Sequence, residues 1–384
     1  MRLAAFTSGR QDAGIIAPVL RALAGGPVES VLVAGGLHRR DGAPPAAIEG
    51  ITVAAHIDAL PEDDGDAAIA ACAGRTASGL AGVLPGLGAE GMLLVGDRTE
   101  TLAAGLAATC LRLPVIHLHG GEVTRGAIDD ACRDALSQLA HLHCVAHQAA
   151  RMRLLQLGIA PDRIHVSGAP GLDACFAPPA PSAELAAHLG IAELPWPLLA
   201  LTHHPATLGD DPEAEIRAVL AGVQAALSAH PDALVIATAA NRDAGGERIN
   251  AILQRQAAED RRWRLAGALG HRLYRTLLAH ADAVVGNSSS GIIEAPVFGV
   301  PVLNLGARQA GRLRCPEVLD LPAEAAAIAT ALAGILAAPR RLRPAAPRAT
   351  AYGDGRSAER IATAIAAFAA LPHARRLARA GDPP

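Results

Sequence analysis

Short apolar runs alternate with longer Ala- and Leu-rich stretches along most of this chain. In the first half the runs at 3–7, 30–35, 51–57, 91–96, 115–119, 142–146 and 164–167 predict strands. Helical stretches separate most of them. A second series of strands is predicted at 198–202, 233–239, 264–268, 283–286 and 302–305, with helices near 212–228, 246–257, 271–280, 290–298 and 323–337. The runs are apolar nearly throughout rather than at every second position. That pattern belongs to strands buried on both faces, so the chain reads as α/β, with parallel sheets covered by helices on both sides.

The alternation breaks between 176 and 197, where Pro178, Pro179, Pro181, Pro195 and Pro197 cluster around a short helical segment. This stretch reads as a connection between an N-terminal Rossmann-like lobe at 1–175 and a C-terminal one at 198–355. A final helix near 356–370 has no strand after it, and with the tail to 384 it is expected to cross back to the first lobe. The Ala/Pro-rich stretch at 337–350 reads as a surface connection. At 384 residues, two domains of ordinary size are the natural expectation.

Composition removes several functional classes. Aromatic residues make up only 2% of the chain against 51% apolar residues, so the cores are aliphatic. The net charge is −3 and no basic stripe carries interleaved aromatics, which argues against a nucleic-acid platform. All 34 basic residues are Arg, so a Schiff-base lysine and the lysine of a phosphate-binding Walker loop are both impossible. Phosphate would have to be met by Arg and backbone N–H groups. The six Cys (72, 110, 132, 144, 175 and 315) form no C-x-x-C pair and are expected to be reduced core residues. With no signal peptide evident and no apolar run long enough to span a bilayer, a soluble cytosolic protein is expected, without membrane or nucleic-acid partners.

The chemistry gathers where predicted strands end. Thr7-Ser8-Gly9-Arg10 follows the first strand; it is either an anion-binding turn with Arg10 as clamp or an ordinary cap with Ser8 as N-cap. Gly96-Asp97-Arg98-Thr99-Glu100 offers a catalytic carboxylate in Asp97 with Arg98 beside it, and it also resembles a capping box. In Val115–His119, alternation places Val115, His117 and His119 on one face. Gly120-Gly121, Glu122, Asp129 and Asp130 follow. Clustered imidazoles and carboxylates suit proton transfer; no metal-ligand spacing such as H-E-x-x-H accompanies them, and no metal is expected. In the second half, His203 and His204 close one strand and are expected to meet ligand. Asn287, Ser288, Ser289, Ser290 and Gly291 close another, and their N–H and hydroxyl groups could cradle a diphosphate, with Glu294 one turn on for the hydroxyls of a ribose.

These segments (Gly-Asp-Arg at 96–98, His-Leu-His-Gly-Gly-Glu-Val-Thr at 117–124, Gly-Ala-Ile-Asp-Asp at 126–130, Gly-Ala-Pro-Gly-Leu-Asp at 168–173 and Gly-Asn-Ser-Ser-Ser-Gly-Ile-Ile-Glu-Ala-Pro at 286–296) occur in the same order in hydrolysing UDP-N-acetylglucosamine 2-epimerases. The set resembles in particular the bacterial branch that supplies sialic-acid and legionaminic-acid synthesis. The resemblance runs from about residue 5 to 365. It implies a glycosyltransferase-B-like fold with the active site in the cleft between two lobes, the UDP-sugar held mostly by the second lobe, no cofactor, and a homodimer or homotetramer. It further implies removal of the C2 proton with expulsion of UDP to give a 2-acetamidoglucal, then addition of water at C1 and protonation of C2 from the opposite face. By resemblance Asp97 and Asp129 match catalytic carboxylates, His204 a histidine near the diphosphate, Arg10 the first-loop arginine, and Ser289, Ser290 and Glu294 the diphosphate and ribose contacts. Arg98, Asp130, His203, Asn287, Ser288 and Gly291 are the further candidate contacts. Many family members carry a catalytic Glu where this chain has His119, with Glu122 three residues on; the proton transfer falls to one of these two. A non-hydrolysing epimerase or a glycosyltransferase of the same fold are the alternatives.

Overall fold

The structure, a computed structural model, describes residues 1–38, 45–63, 65–206, 211–241, 243–267, 269–337 and 346–378, without the side chains of residues 10 and 11. The chain divides into two compact units. One comprises Met1–Glu122, Asp129–Ala174 and Tyr352–Pro384, and the other Val123–Ile128 and Cys175–Ala351. The N-terminal unit is thus not one continuous stretch. The short segment after Glu122 belongs with the second unit, where Arg125 donates its N–H to the carbonyl of Ala310 at 3.0 Å.

The first unit contains strands β1 (Arg2–Thr7), β2 (Glu29–Ala34), β3 (Ala47–Ile48), β4 (Ile51–His56), β5 (Gly91–Val95), β6 (Val115–Leu118), β7 (Leu142–Val145) and β8 (Ile164–Val166). They form one sheet in the order β3-β4-β2-β1-β5-β6-β7-β8. Every pairing is parallel except β3 with β4. Alternation along β1 feeds a core on each face. Leu3 and Ala5 pack with the helices Arg10–Leu23 and Ser357–Ala369, while Ala4 and Phe6 pack with Asp66–Val83 and Thr99–Cys110. The last helix therefore buries Ile361, Ile365 and Phe368 in the first unit's core.

The second unit contains β9 (Leu198–Thr202), β10 (Leu234–Thr238), β11 (Trp263–Ala266), β12 (Ala283–Gly286), β13 (Val302–Leu305) and β14 (Val318–Leu321), all parallel, in the order β11-β10-β9-β12-β13-β14. The pattern of apolar runs does not reveal β14. It lies at the sheet edge with its two central residues exposed, so it lacks the continuous apolar run of an inner strand. In each sheet the strand order reverses beside the first strand of the unit, between β1 and β5 and between β9 and β12. Loops at such a reversal splay apart and open a crevice at the strands' carboxyl ends. The candidate chemistry of each unit collects there. Among the described residues no helix is long and apolar enough to cross a membrane.

Candidate active site

In the first unit the loop after β1 is shaped by Ser8, whose N–H and hydroxyl both donate to Asp12, at 2.9 and 2.6 Å. Ser8 does not cap the helix Arg10–Leu23; the N-cap position is Gly9, without a side-chain bond. Burial pushes the Asp12 carboxyl above its usual range, and the Ser8 hydrogen bond works against that rise. Arg10 opens the helix, and its side chain lies outside the described residues.

The turn after β5 departs from the capping-box expectation. Gly96 takes φ +79°, and Arg98 rather than Asp97 occupies the N-cap of the helix Thr99–Cys110. Asp97 is therefore not spent on capping. The Arg98 guanidinium lies 3.3 Å from Glu100. Burial alone would raise the Glu100 carboxyl, but Arg98 and local hydrogen bonds leave it below the usual range.

Asp97 is held by Arg133, which sequence reasoning missed. Arg133 projects from the helix Asp129–Leu139 with its side chain only 1% exposed. Its guanidinium donates to the Asp97 carboxylate, to Asp130 Oδ1 at 2.5 Å and to the Glu122 carbonyl at 2.8 Å. Burial works to lower the arginine's proton affinity, but Asp97, Glu122 and Asp130 reverse this and push it well above its ordinary value. A planar fork suits several acceptors at once, as a lysine would not. In the sequence, Arg133 three residues after Asp130 reads as a common surface ion pair. Only the fold brings Asp97 to it. Asp129 stands half-buried in the first turn of the same helix.

The two histidines at the end of β6 do not share a face, contrary to the alternation. The strand ends at Leu118, and His119 turns into the left-handed region at φ +64°. His117 stays inside. Its Nε2 donates to the Gly96 carbonyl at 2.8 Å, which leaves Nδ1 to accept from the Ser137 hydroxyl at 3.2 Å. Burial pushes its pKa down to about 4, so it is neutral and braces the turn that carries Asp97. His119, freed from the strand, places Nδ1 2.6 Å from Glu122 Oε1. Its Nε2 is buried without a hydrogen-bond partner among the described residues. On β7, His143 is completely buried and neither ring nitrogen has a hydrogen-bond partner among the described residues; burial pushes its pKa down to about 3.

In the second unit Gly286 has φ +137°, and a Cβ there would collide with the Thr202 carbonyl, so β9 and β12 can lie this close only with glycine at that position. Asn287 follows. Its amide accepts from the His204 N–H at 2.7 Å and donates to the His204 carbonyl at 2.8 Å. Its own carbonyl is held by Gln309 at 3.0 Å and Arg308 at 3.3 Å. The Asn287 side chain is thus committed to the backbone of His204 rather than turned outward. His204 Nδ1 accepts the Asn241 N–H at 3.1 Å, which puts the proton of the neutral ring on Nε2.

His203 does not take the ligand-facing place expected from sequence. It is fully buried, with Nε2 3.4 Å from the Asn287 amide and 3.6 Å from Glu215, and burial pushes its pKa down to about 3. Ser288 caps the helix Ser289–Ile293. Its hydroxyl receives that of Ser290 at 3.0 Å, and Ser290 in turn meets the Tyr274 hydroxyl at 2.6 Å. Ser289 is half-buried and Gly291 buried against Val302. Burial raises the Glu294 carboxyl, with His271 and Arg275 opposing. Among the described residues no His, Cys, Asp and Glu side chains are grouped to hold a metal ion; none of the six cysteines is paired in a disulfide, and only Cys110 is exposed.

Both sheets have the order of nucleotide-binding folds, and comparison with known proteins narrows the assignment. A protein of Legionella pneumophila described as a UDP-N,N'-diacetylbacillosamine 2-epimerase (hydrolyzing) is 35% identical over 270 residues, covering 70% of this chain and 68% of that protein. The GDP/UDP-N,N'-diacetylbacillosamine 2-epimerase (hydrolyzing) of Campylobacter jejuni is 36% identical over 231 residues, 60% of this chain and 59% of that one. The fold matches the UDP-GlcNAc 2-epimerases of Neisseria meningitidis, solved with UDP-GlcNAc, at a TM-score of 0.74, 18% identity and coverage of 95% and 99%, and of Methanocaldococcus jannaschii, solved with UDP-GlcNAc and UDP, at 0.75, 16%, and the same coverage. These matches establish two Rossmann-like lobes of the glycosyltransferase-B type. The profile of one family spans residues 21–366 and takes in every turn described above except the one after β1, and so the chain belongs to the UDP-N-acetylglucosamine 2-epimerase family.

Proposed function

We propose that this protein is a hydrolysing UDP-sugar 2-epimerase. It takes UDP-N-acetylglucosamine, or its 2,4-diacetamido-2,4,6-trideoxy relative, and water to the free manno-configured sugar and UDP. The observation that carries this reading is the meeting, at the ends of the adjacent strands β5 and β6, of an arginine-held carboxylate, Asp97, and a hydrogen-bonded imidazole–carboxylate pair, His119 and Glu122. Inversion at C2 needs a proton removed from one face and another delivered to the opposite face, hence two separate carriers. Asp129 is a third acidic group beside them. In the second unit, His204 offers an Nε2–H donor, and the serine turn offers N–H groups and hydroxyls. These suit the negative charge that develops on the departing diphosphate. The identity to relatives described as hydrolysing diacetylbacillosamine 2-epimerases favours the 2,4-diacetamido sugar, whose product suits legionaminic-type nonulosonic acids.

The test is an NMR time course in D2O with each of the two UDP-sugars. Free manno sugar deuterated at C2, formed together with UDP, is the expected result. Product that keeps its UDP would make the enzyme a non-hydrolysing epimerase. UDP released only when an acceptor sugar is added would make it a transferase.

Glu294 is assigned to the ribose hydroxyls. Glu294→Ala should weaken UDP binding by about tenfold to a hundredfold, the range for losing a hydrogen bond to a charged acceptor. Titration calorimetry with UDP alone reads this directly, and unchanged affinity would remove Glu294 from the nucleotide site.

A further inference from the structure

We infer that the atom which removes the C2 proton is Nε2 of His119, and that Glu122 is a positioning residue acting through it. This deepens the proposed function and rests on it. The argument starts from the hydrogen bond between His119 Nδ1 and Glu122 Oε1 at 2.6 Å. A carboxylate accepts only, so the shared proton belongs to Nδ1. The neutral ring then carries a bare lone pair at Nε2, which can take a proton but cannot give one. That nitrogen is buried and has no hydrogen-bond partner among the described residues. Such an atom is costly to leave unpaired unless it is reserved for a group that arrives later.

The backbone supports the same assignment. His119 sits at φ +64°, a region that few residues other than Gly, Asn, Asp and His enter, and this swings its ring out of the strand. Its N–H is anchored to the Cys144 carbonyl at 3.1 Å, and the Glu122 carbonyl is anchored by Arg133 at 2.8 Å. Both ends of the pair are thus fixed.

In the step, the C2 proton passes to Nε2, and the C2–H electron pair becomes the second bond between C1 and C2. The C1–O bond breaks, and its electrons leave with UDP. The imidazolium that forms is balanced by Glu122 at Nδ1 and later returns its proton to water.

Three variants test this, with UDP release and titration calorimetry as readouts. His119→Asn and His119→Gly both tolerate the left-handed backbone. Each should lose at least about a thousandfold in kcat while UDP affinity stays within about threefold. Imidazole in the medium should restore part of the His119→Gly activity. Glu122→Gln removes the counter-charge of the imidazolium, and with its amide N–H turned to Nδ1 it moves the ring proton onto Nε2. Its kcat should fall by about ten-thousandfold, as when a histidine is held in the wrong tautomer, with little change in KM and no response to imidazole. If His119→Asn keeps activity within tenfold of the parent while Glu122→Gln is inactive, the proton carrier is Glu122 and the inference is overturned. If the parent enzyme releases no UDP from either sugar, both this inference and the proposed function fail together.

Discussion

Arg133→Leu should reduce kcat by about a hundredfold to a thousandfold or more and destabilise the fold by about 3–5 kcal/mol. The two losses have one origin. The guanidinium is nearly inaccessible, and it holds Asp97, Asp130 and the Glu122 carbonyl at once. Removing it leaves carboxylates facing one another without a counter-charge, so they take up protons or turn away. Either outcome changes the protonation or the position of Asp97, on which the proposed reaction depends. Arg133→Lys keeps the charge but not the fork, and should recover more stability than activity. Urea denaturation and steady-state kinetics on the two variants separate the effects. An Arg133→Leu enzyme within tenfold of the parent in kcat would show that the clamp is structural only.

The second large effect concerns acid. His117, His143 and His203 are buried and neutral, with pKa values pushed by burial to about 4, 3 and 3. An unfolded histidine binds its proton near pH 6.5. For a group depressed in this way, the stabilising contribution is complete above pH 6.5. It is lost progressively as pH falls, because the unfolded chain takes up protons that the folded chain refuses. Asp12, Asp173, Glu215 and Glu294 have raised carboxyl pKa values and act in the opposite sense, so the parent's total slope is a difference. One substitution isolates the histidine contribution. His143 has no hydrogen-bond partner for either ring nitrogen among the described residues, so His143→Leu removes nothing polar that is satisfied. The variant should be more stable than the parent below pH 6, by a margin that grows by about 1.4 kcal/mol per pH unit. Urea melts at pH 7, 6 and 5 measure the margin; a margin that does not change with pH would mean that His143 is protonated or hydrated in the folded protein.

The strands were the most legible part of the chain, because burial on both faces writes an unbroken apolar run. Leu198–Thr202 and Val302–Leu305 are read from sequence with their observed bounds. β14 is not, since an edge strand keeps polar residues such as Asp320 in its middle. At the site, the sequence locates the turns but not the traffic within them. His117 and His119 look equivalent by period, and a single left-handed residue separates them into a buried brace and an imidazole paired with Glu122. Asn287 looks like a ligand group, yet its amide is taken up by the backbone of His204. Arg133 carried no signal, because its partner Asp97 lies on another element and is brought to it only by the parallel pairing of β5 and β6.

The two sheets share one wiring, with β4-β2-β1-β5-β6-β7 in the first unit and β11-β10-β9-β12-β13-β14 in the second. The units are halves of a pseudo-repeat, and positions in them correspond. Gly96-Asp97 after β5 and Gly286-Asn287 after β12 are then the same turn built twice. In both, a left-handed or otherwise glycine-only backbone precedes a short side chain that is locked in place by hydrogen bonds. The twins differ at the tip by one atom, oxygen in Asp97 and nitrogen in Asn287. A carboxyl group can carry a proton, and an amide cannot. The same charge beside a nucleoside diphosphate would repel it, and the amide keeps the shape while removing the repulsion. Under the proposed function, exchanging that one atom between equivalent turns leaves a proton carrier in one half and an uncharged group for the anion in the other.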